Sequence, residues 1–199
     1  MTAEMGRTAK YTDQDILDAA LGLTAEGGVQ AATVVAIAKR IGAPSGSIYH
    51  RFASRDLILA TLWIRTVRRF QGGFLEALAL EEPVDAARRA VSHTLQWSAS
   101  HHSEAQVLTM YRREDLLELW PEELGPELAS LNDEVRRAMV RFTAAQFAVV
   151  NAETLGRARF ALIEIPTVAV RQMMGNGPLL PWLERTVTDA AMAVLRSTP

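Results

Sequence analysis

The segment from Ala32 to Ile58 constrains the fold more than any other part of this 199-residue chain. Thr33 can cap a helix, because its hydroxyl can accept a hydrogen bond from a backbone N–H one turn further on. Gly42 stands where that helix would end, in the left-handed conformation that glycine adopts at little cost. Pro44 suits the first turn of a second helix. The segment therefore predicts two short helices joined by a tight turn, followed by the start of a third.

The second short helix, at about residues 44–52, has one face without an acidic side chain. At 100° per residue, Ile48 and Phe52 share the side that would face a core. The opposite side carries small, hydroxyl-bearing and aromatic residues: Gly46, Ser47, Tyr49 and His50. Hydroxyl groups can reach phosphates or bases, and no carboxylate repels the DNA backbone. This pattern indicates a helix-turn-helix.

Residues 33–57 contain a specific combination: Thr33, Ala38, Gly42, Gly46, Ser47, Ile48, Tyr49, Phe52, Arg55 and Leu57. Over roughly residues 10–60 this combination resembles the DNA-binding domain of the TetR family of bacterial transcription regulators. The resemblance implies that Arg55 meets a phosphate, and that Arg51 offers a donor where the family often has His. The residues expected to bind DNA are Thr33, Ser45, Gly46, Ser47, Tyr49, His50, Arg51 and Arg55.

The rest of the chain is helical by composition, so we expect an all-α protein. Residues 1–53 would form the helix-turn-helix domain, with a first helix capped by Thr12. Residues 54–73 would form a connecting helix, capped by Ser54, that Gly72-Gly73 ends or bends. Residues 74–199 would form a helical effector-binding and dimerisation domain. Its helices are predicted at about 83–100, 104–118, 126–150, 153–174 and 179–196, with Pro166 kinking or splitting the fourth.

The last two predicted helices have broad apolar faces: Phe160, Ile163, Thr167 and Val170 on one, and Leu180, Leu183, Val187, Ala190, Ala191 and Val194 on the other. Each face could simply pack within its own monomer. The family resemblance favours a homodimer in which two such helices from each subunit form a four-helix interface. A dimer would read a palindromic double-stranded DNA operator.

The family resemblance also implies an effector cavity in the middle helices. Candidate lining residues are apolar or aromatic with a few polar groups: His93, Trp97, Met110, Tyr111, Phe142, Gln146 and Phe147. Ordinary core is the alternative for each of them. The effector is an unknown small molecule.

Composition restricts the remaining classes. The chain has no cysteine, and neither an apolar run long enough to span a membrane nor a signal-peptide stretch, so we expect a cytoplasmic protein without membrane contact. Residues 1–72 hold nine basic and six acidic side chains, a net +3, whereas residues 73–199 hold twelve and seventeen, a net −5. The basic part is the part with the helix-turn-helix.

Enzyme motifs are missing from the sequence. No histidine follows a glutamate by three residues, and neither a His-Glu-x-x-His motif nor a phosphate-binding Gly-x-x-x-x-Gly-Lys loop occurs. We expect no catalytic residue, cofactor or metal, and we interpret the chain as a ligand-responsive DNA-binding regulator, most often a repressor in this family. Two alternatives remain: a helical ligand-binding or interaction module without DNA binding and, more distantly, an all-α enzyme.

Overall fold

The computed structural model describes residues 11–110, 124–176 and 180–196. Within these ranges the chain forms helices and short connections without a strand, which confirms the all-α prediction. The α-helices are α1 (Asp13–Gly27), α2 (Val34–Ile41), α3 (Ser45–Tyr49), α4 (Arg55–Leu78), α5 (Pro83–Ser100), α6 (His102–Met110), α7 (Gly125–Ser130), α8 (Asp133–Phe147), α9 (Ala152–Arg159), α10 (Ile165–Asn176) and α11 (Pro181–Arg196). A 3₁₀ turn occupies Val29–Ala31 and a π-helical turn occupies Phe160–Glu164.

The helices of the N-terminal domain begin and end at capping residues that can be recognised in the sequence. Thr12 and Asp15 cap each other's backbone at the start of α1, and the Thr33 hydroxyl accepts a 3.1 Å hydrogen bond from the Ala36 N–H at the start of α2. Gly42 ends α2 with φ of 67°, as predicted. Helices α1 to α4 then close over one core: Ile16, Ile37, Ala38, Ile48, Phe52, Ile58 and Leu62.

Helix α4 is longer than predicted. Ser54 caps it as expected, accepting a 3.1 Å hydrogen bond from the Leu57 N–H. The helix then continues through Gly72-Gly73 to Leu78, so these glycines do not end it. Gly73 is a packing residue, because a Cβ there would lie 2.3 Å from Cε1 of His93 on α5. The close contact that glycine permits explains its presence inside the helix.

The C-terminal domain packs α5 against α4, α10 and α11. Its core includes Phe74, Val91, Leu95, Phe142, Leu162 and Met192. The helix predicted at 126–150 is two helices, α7 and α8, interrupted at Leu131-Asn132, and α8 ends at the left-handed residue Ala148, with φ of 58°. Of the helix predicted at 104–118, the described part is α6, and the remainder lies outside the described residues.

Pro166 is accommodated without splitting the helix predicted at 153–174. Helices α9 and α10 are continuous through the π-helical turn, where the Ile165 N–H bonds to the Phe160 carbonyl five residues back. A π turn is wider than an α turn. The π-helical turn lies at the place where, in a regular α-helix, the Pro166 ring would clash with the carbonyl four residues earlier.

The junction between the two domains is packed rather than open. Trp63 and Ile64 of α4 form a small core with Val107 of α6 and Leu128 and Leu131 of the α7 region. Arg65 of α4 also pairs with Asp18 of α1 at 2.7 Å, and Arg69 pairs with the buried carboxylate of Glu104 on α6. Helix α4 is therefore fixed to both domains.

Most of the apolar residues predicted on the last two helices face the monomer's own core. Val170, Val187 and Ala191 are buried there, and Leu183 and Val194 pack against it. Ile163 and Thr167 face a cavity that is described below. The outer surface of α9 to α11 exposes Phe160 and Leu180, which belong to the predicted set. It also exposes Val168 and Trp182, which do not.

Candidate nucleic-acid interface and effector cavity

Helix α3 is held by its inner side and exposed on its outer side. Ile48 is fully buried and Phe52, just after the helix, is nearly so. Gly46 and His50 are exposed, Ser45 and Ser47 are half-buried, and Tyr49 is 56% exposed. The structure therefore places these predicted DNA-binding residues on and beside one short helix, and none of them is acidic.

The turn between α2 and α3 is closed by backbone hydrogen bonds and by a tyrosine from outside it. The Ala43 N–H bonds to the Ala38 carbonyl at 2.9 Å. The Tyr11 hydroxyl donates to the Gly42 carbonyl at 2.6 Å, joining the segment before α1 to the turn. These contacts fix the angle between the two helices of the helix-turn-helix.

Two of the predicted phosphate-binding arginines have partners within the protein. Arg51 donates to Asp13 of α1 at 2.5 Å. The Arg55 Nε donates to the Ala32 carbonyl at 2.9 Å, and its Nη2 donates to the Val29 carbonyl. Arg55 therefore holds the 3₁₀ turn and the residue before Thr33, whereas Arg51 is held by a carboxylate that is 62% exposed.

Thr33 is exposed at the start of α2, but its hydroxyl oxygen already accepts the capping hydrogen bond. Next to it, Val35 is 69% exposed and forms part of the surface of α2. A valine methyl at such a place can pack on a thymine methyl in the major groove.

Three ionisable groups of this domain have shifted pKa values. Hydrogen bonds from the Thr12 backbone N–H and from its hydroxyl lower the pKa of the Asp15 carboxyl. A hydrogen bond from Arg40 lowers the pKa of Glu26, and the same contact raises the pKa of Arg40. Because the pKa of Asp15 is depressed on folding, its capping contribution is present above its unfolded pKa and is lost as the pH falls through its folded pKa.

A cavity of about 700 Å³ lies in the C-terminal domain between α4, α8, α9 and the π-helical turn. Its wall is mainly apolar: Trp63, Val67, Phe70, Phe74, Met139 and Leu162 are among the lining residues. Its polar lining residues are Gln71, Thr94, Asn132, Arg136, Arg159 and Thr167. The volume is in the range of small-molecule sites.

Of the sequence-based candidates for this wall, His93 and Trp97 lie outside it. His93 packs behind Phe70, with its Nε2 2.9 Å from the Phe70 carbonyl oxygen. Trp97 meets the Phe70 ring edge-on at 5.4 Å and stacks on His101 at 4.8 Å. The face shared by His93 and Trp97 therefore contacts the side of α4 that supports Phe70, and other residues form the wall itself.

Phe142, Gln146 and Phe147 are also absent from the described lining residues. Phe142 is buried in the domain core, Phe147 packs against that core, and the Gln146 side chain donates to the Leu195 carbonyl at 3.3 Å. The Met110 side chain and Tyr111 lie outside the described residues. A signal for the wall of this cavity was present on α4, where Trp63, Val67, Phe70, Gln71 and Phe74 share one helical face.

The described residues contain no cluster of three His, Cys, Asp or Glu side chains placed to hold a metal ion. Over the same ranges, each helix is too short or too polar to cross a membrane.

Comparison with known proteins agrees with this geometry. Residues 16–62 match the model of the bacterial regulatory proteins of the tetR family. The matched region runs from the first turn of α1 through α2 and α3 to the first turns of α4. These residues therefore form an N-terminal domain of the tetR type.

Solved structures extend the TetR fold to the C-terminal domain. The regulator FadR from Bacillus subtilis, in complex with stearoyl-CoA, superposes with a TM-score of 0.72 and 18% identity, covering 94% of this chain and 100% of that one. PfmR from Thermus thermophilus gives 0.71 and 18%, covering 92% and 98%. The ketosteroid regulator KstR2 from Mycobacterium tuberculosis gives 0.68 and 20%, covering 95% and 97%. No curated protein sequence matches the chain.

Sequence reasoning missed two residues of this TetR-type domain that the structure singles out. Asp13 pairs with Arg51, and Tyr11 closes the turn. Asp13 and Tyr11 act on residues more than 30 positions away in the sequence. A local sequence pattern carries no signal for contacts of that kind.

Proposed function

We propose that this TetR-type chain is a homodimeric, ligand-responsive repressor that binds a palindromic operator. The observation that supports this most is the exposed surface of α3, which presents Gly46, Ser47, Tyr49 and His50 without a carboxylate, on a helix anchored by Ile48. Such a helix fits the major groove, where hydroxyl, aromatic and imidazole groups can reach base edges or phosphates.

The two arginines take different parts in this proposal. Arg51 contacts a phosphate after exchanging its exposed partner Asp13, since an exposed ion pair contributes about 0–1 kcal/mol. Arg55 positions the start of α2 through the carbonyls of Val29 and Ala32. Because that segment leads into Thr33, Arg55 places the first turn of α2 against the DNA backbone.

The outer surface of α9 to α11 supports the homodimer. Phe160, Val168 and Trp182 are 47%, 64% and 52% exposed, which leaves large apolar side chains uncovered on the last two helical segments. A two-fold axis through this surface would bury them against the same residues of a second copy. Two copies of α3 would then read two half-sites about 34–36 Å apart.

The cavity supports a response to a ligand. Helix α4 supplies five residues of the cavity wall, and its first residue, Arg55, holds the entry to α2. A ligand that prefers one position of α4 shifts the dimer toward one spacing of its recognition helices, by as much as its affinities for the two states differ. FadR from Bacillus subtilis was solved with stearoyl-CoA, so a TetR-type fold accommodates a ligand.

The experiment is selection of operator sequences from a pool of randomised DNA duplexes, followed by fluorescence anisotropy with a salt titration. We expect an enriched inverted repeat, and a dependence of log Kd on log salt that reflects several phosphate contacts. Tyr49→Phe should weaken binding to that repeat while the melting temperature stays unchanged, because it removes only the exposed hydroxyl. Failure to bind any duplex at low salt would favour a helical ligand-binding module instead.

A further inference from the structure

The cavity wall has charge of one sign. Among the described lining residues, Arg136 of α8 and Arg159 of α9 are the charged ones, and none is acidic. Both arginines are exposed, as is the lining residue Val140, whereas Trp63, Phe74 and Leu162 are buried. We take this exposed part of the lining, on α8 and α9, as the mouth of the cavity, and both arginines belong to it.

Each arginine has an exposed acidic partner outside the wall. Arg136 pairs with Asp133 at 2.6 Å and Arg159 with Glu164 at 3.0 Å. Exposed pairs of this kind contribute about 0–1 kcal/mol. A guanidinium has five N–H donors, so it can hold a second anion without releasing the first. The mouth can thus accept the anionic group of a ligand.

Two polar side chains of the inner wall already donate hydrogen bonds within the protein. The Gln71 side chain donates to the Asn132 side chain at 2.9 Å, and the Thr94 hydroxyl donates to the Ala90 carbonyl at 3.0 Å. Both donors have a partner within the protein, so an apolar group can lie beside them without breaking either hydrogen bond. The inner part of the cavity suits a hydrocarbon.

The length of the apolar stripe sets the length of that hydrocarbon. Lining residues run along one face of α4 from Trp63 to Phe74, and eleven residues of α-helix extend about 16 Å. An extended chain covers roughly 1.2 Å per bond, since a residue with three backbone bonds spans about 3.3–3.6 Å, so the stripe matches about 13 bonds.

We propose that the effector of this protein is an amphiphilic anion with an unbranched hydrocarbon chain of about 12–14 carbons. The chain lies along α4, and the anionic head lies between Arg136 and Arg159. This inference rests on the proposed ligand-responsive function and names the chemical class of its ligand.

The test is isothermal titration calorimetry of the full-length protein without DNA, with tetradecanoate below its micelle concentration. Tetradecan-1-ol has the same chain without the charge, and hexanoate has the charge on a short chain. We expect tetradecanoate to bind at least about tenfold more tightly than either compound. For the alcohol, this difference in affinity corresponds to the loss of one charge-assisted hydrogen bond. Tetradecanoyl-CoA tests which anionic group lies between the two arginines. If it binds more tightly than tetradecanoate, the phosphates of CoA are that group; if it binds more weakly, the free carboxylate is.

Variants locate the head group. Arg136→Gln and Arg159→Gln should each weaken tetradecanoate or its thioester several-fold and leave tetradecan-1-ol unchanged. Arg141→Gln is the matched control, because Arg141 is an exposed arginine of α8 outside the cavity wall. It should change neither affinity.

Three results would overturn the proposal: equal affinity for the acid and the alcohol, unchanged affinity in both arginine variants, or binding of neither the acid nor its thioester. Operator binding is measured in parallel without ligand. Intact operator binding alongside any of these results rejects the ligand class and leaves the regulator in place. Absence of operator binding rejects the proposed function itself.

Discussion

Gly46 occupies a place on α3 where a larger residue would fit the free protein. A Cβ added there would meet no atom within 4 Å, and the backbone is not in the left-handed region. Neither packing nor conformation therefore requires glycine at this position. In the proposed complex, close approach of DNA would supply a requirement, because the missing side chain lets the helix backbone lie deeper in the groove.

We therefore expect Gly46→Ala to leave thermal stability unchanged or slightly raised, and to weaken operator binding about tenfold, equivalent to about 1.4 kcal/mol of overpacking at the interface. Thermal denaturation and anisotropy measure the two effects. Gly72→Ala is the control, since the space beside Gly72 is also open but lies on α4, outside the proposed interface. Equal operator affinity in the two variants would exclude Gly46 from the interface.

Asp13 acts on the same surface through its contact with Arg51. Asp13→Asn removes the internal carboxylate that the operator phosphate must displace, so we expect tighter operator binding and a salt dependence steeper by about one unit of slope. Asp18→Asn makes the same change in charge on α1, but Asp18 pairs with Arg65 of α4. An equal gain in both variants would mean that net charge, rather than release of Arg51, causes the effect.

At the scale of elements, α4 connects the proposed DNA-binding surface to the cavity because it is one uninterrupted helix. Its adjacent glycines have opposite surroundings: Gly72 is exposed with open space beside it, whereas Gly73 lies against the His93 ring. The sequence shows only a Gly-Gly pair, which usually signals a break. Gly73 packs against α5, and this tertiary contact cannot be read from the Gly-Gly pair.

Gly73→Ala should consequently destabilise the protein by roughly 1–3 kcal/mol, because a methyl group there would overlap a ring packed against Phe70. Urea denaturation followed by circular dichroism measures the loss, with Gly72→Ala expected to be neutral or stabilising. Combining Gly73→Ala with His93→Ala should cost less than the two single changes together. Strict additivity would show that the two side chains do not share the space.

At the scale of the whole molecule, the proposed dimer would bury the outer surface of α9 to α11. Val168 is exposed in the monomer, so a charge there should leave the monomer fold intact. In a dimer interface, an unpaired buried carboxylate costs roughly 3–5 kcal/mol. Val168→Glu should therefore raise the dimer dissociation constant by more than about a hundredfold.

Analytical ultracentrifugation across a range of protein concentrations measures this shift. Val84→Glu is the matched control, because Val84 is an exposed valine near the start of α5, which is not one of the helices α9 to α11. It should sediment as the unmodified protein does. A monomeric unmodified protein, or an intact dimer in Val168→Glu, would place the interface elsewhere or remove it.

The sequence by itself determined the N-terminal domain because the signals that shape it act over a few residues. Thr12, Thr33 and Ser54 cap their helices from one turn away, and Gly42 ends α2 through its own backbone freedom. Such contacts form whatever the rest of the chain does, so local reasoning predicted them correctly. The resemblance to TetR regulators depends on the same short stretch.

The tertiary structure decided the cavity wall and the partners of the arginines. Phe70 rather than His93 or Trp97 lines the cavity because of how α5 packs behind α4. Ala148 ends α8 in a left-handed conformation, although the sequence has no glycine at that position to predict it. Arg55 meets carbonyls 23 and 26 residues earlier in the chain. These outcomes depend on how helices distant in sequence fill space together, and helical periodicity fixes a face without fixing what covers it.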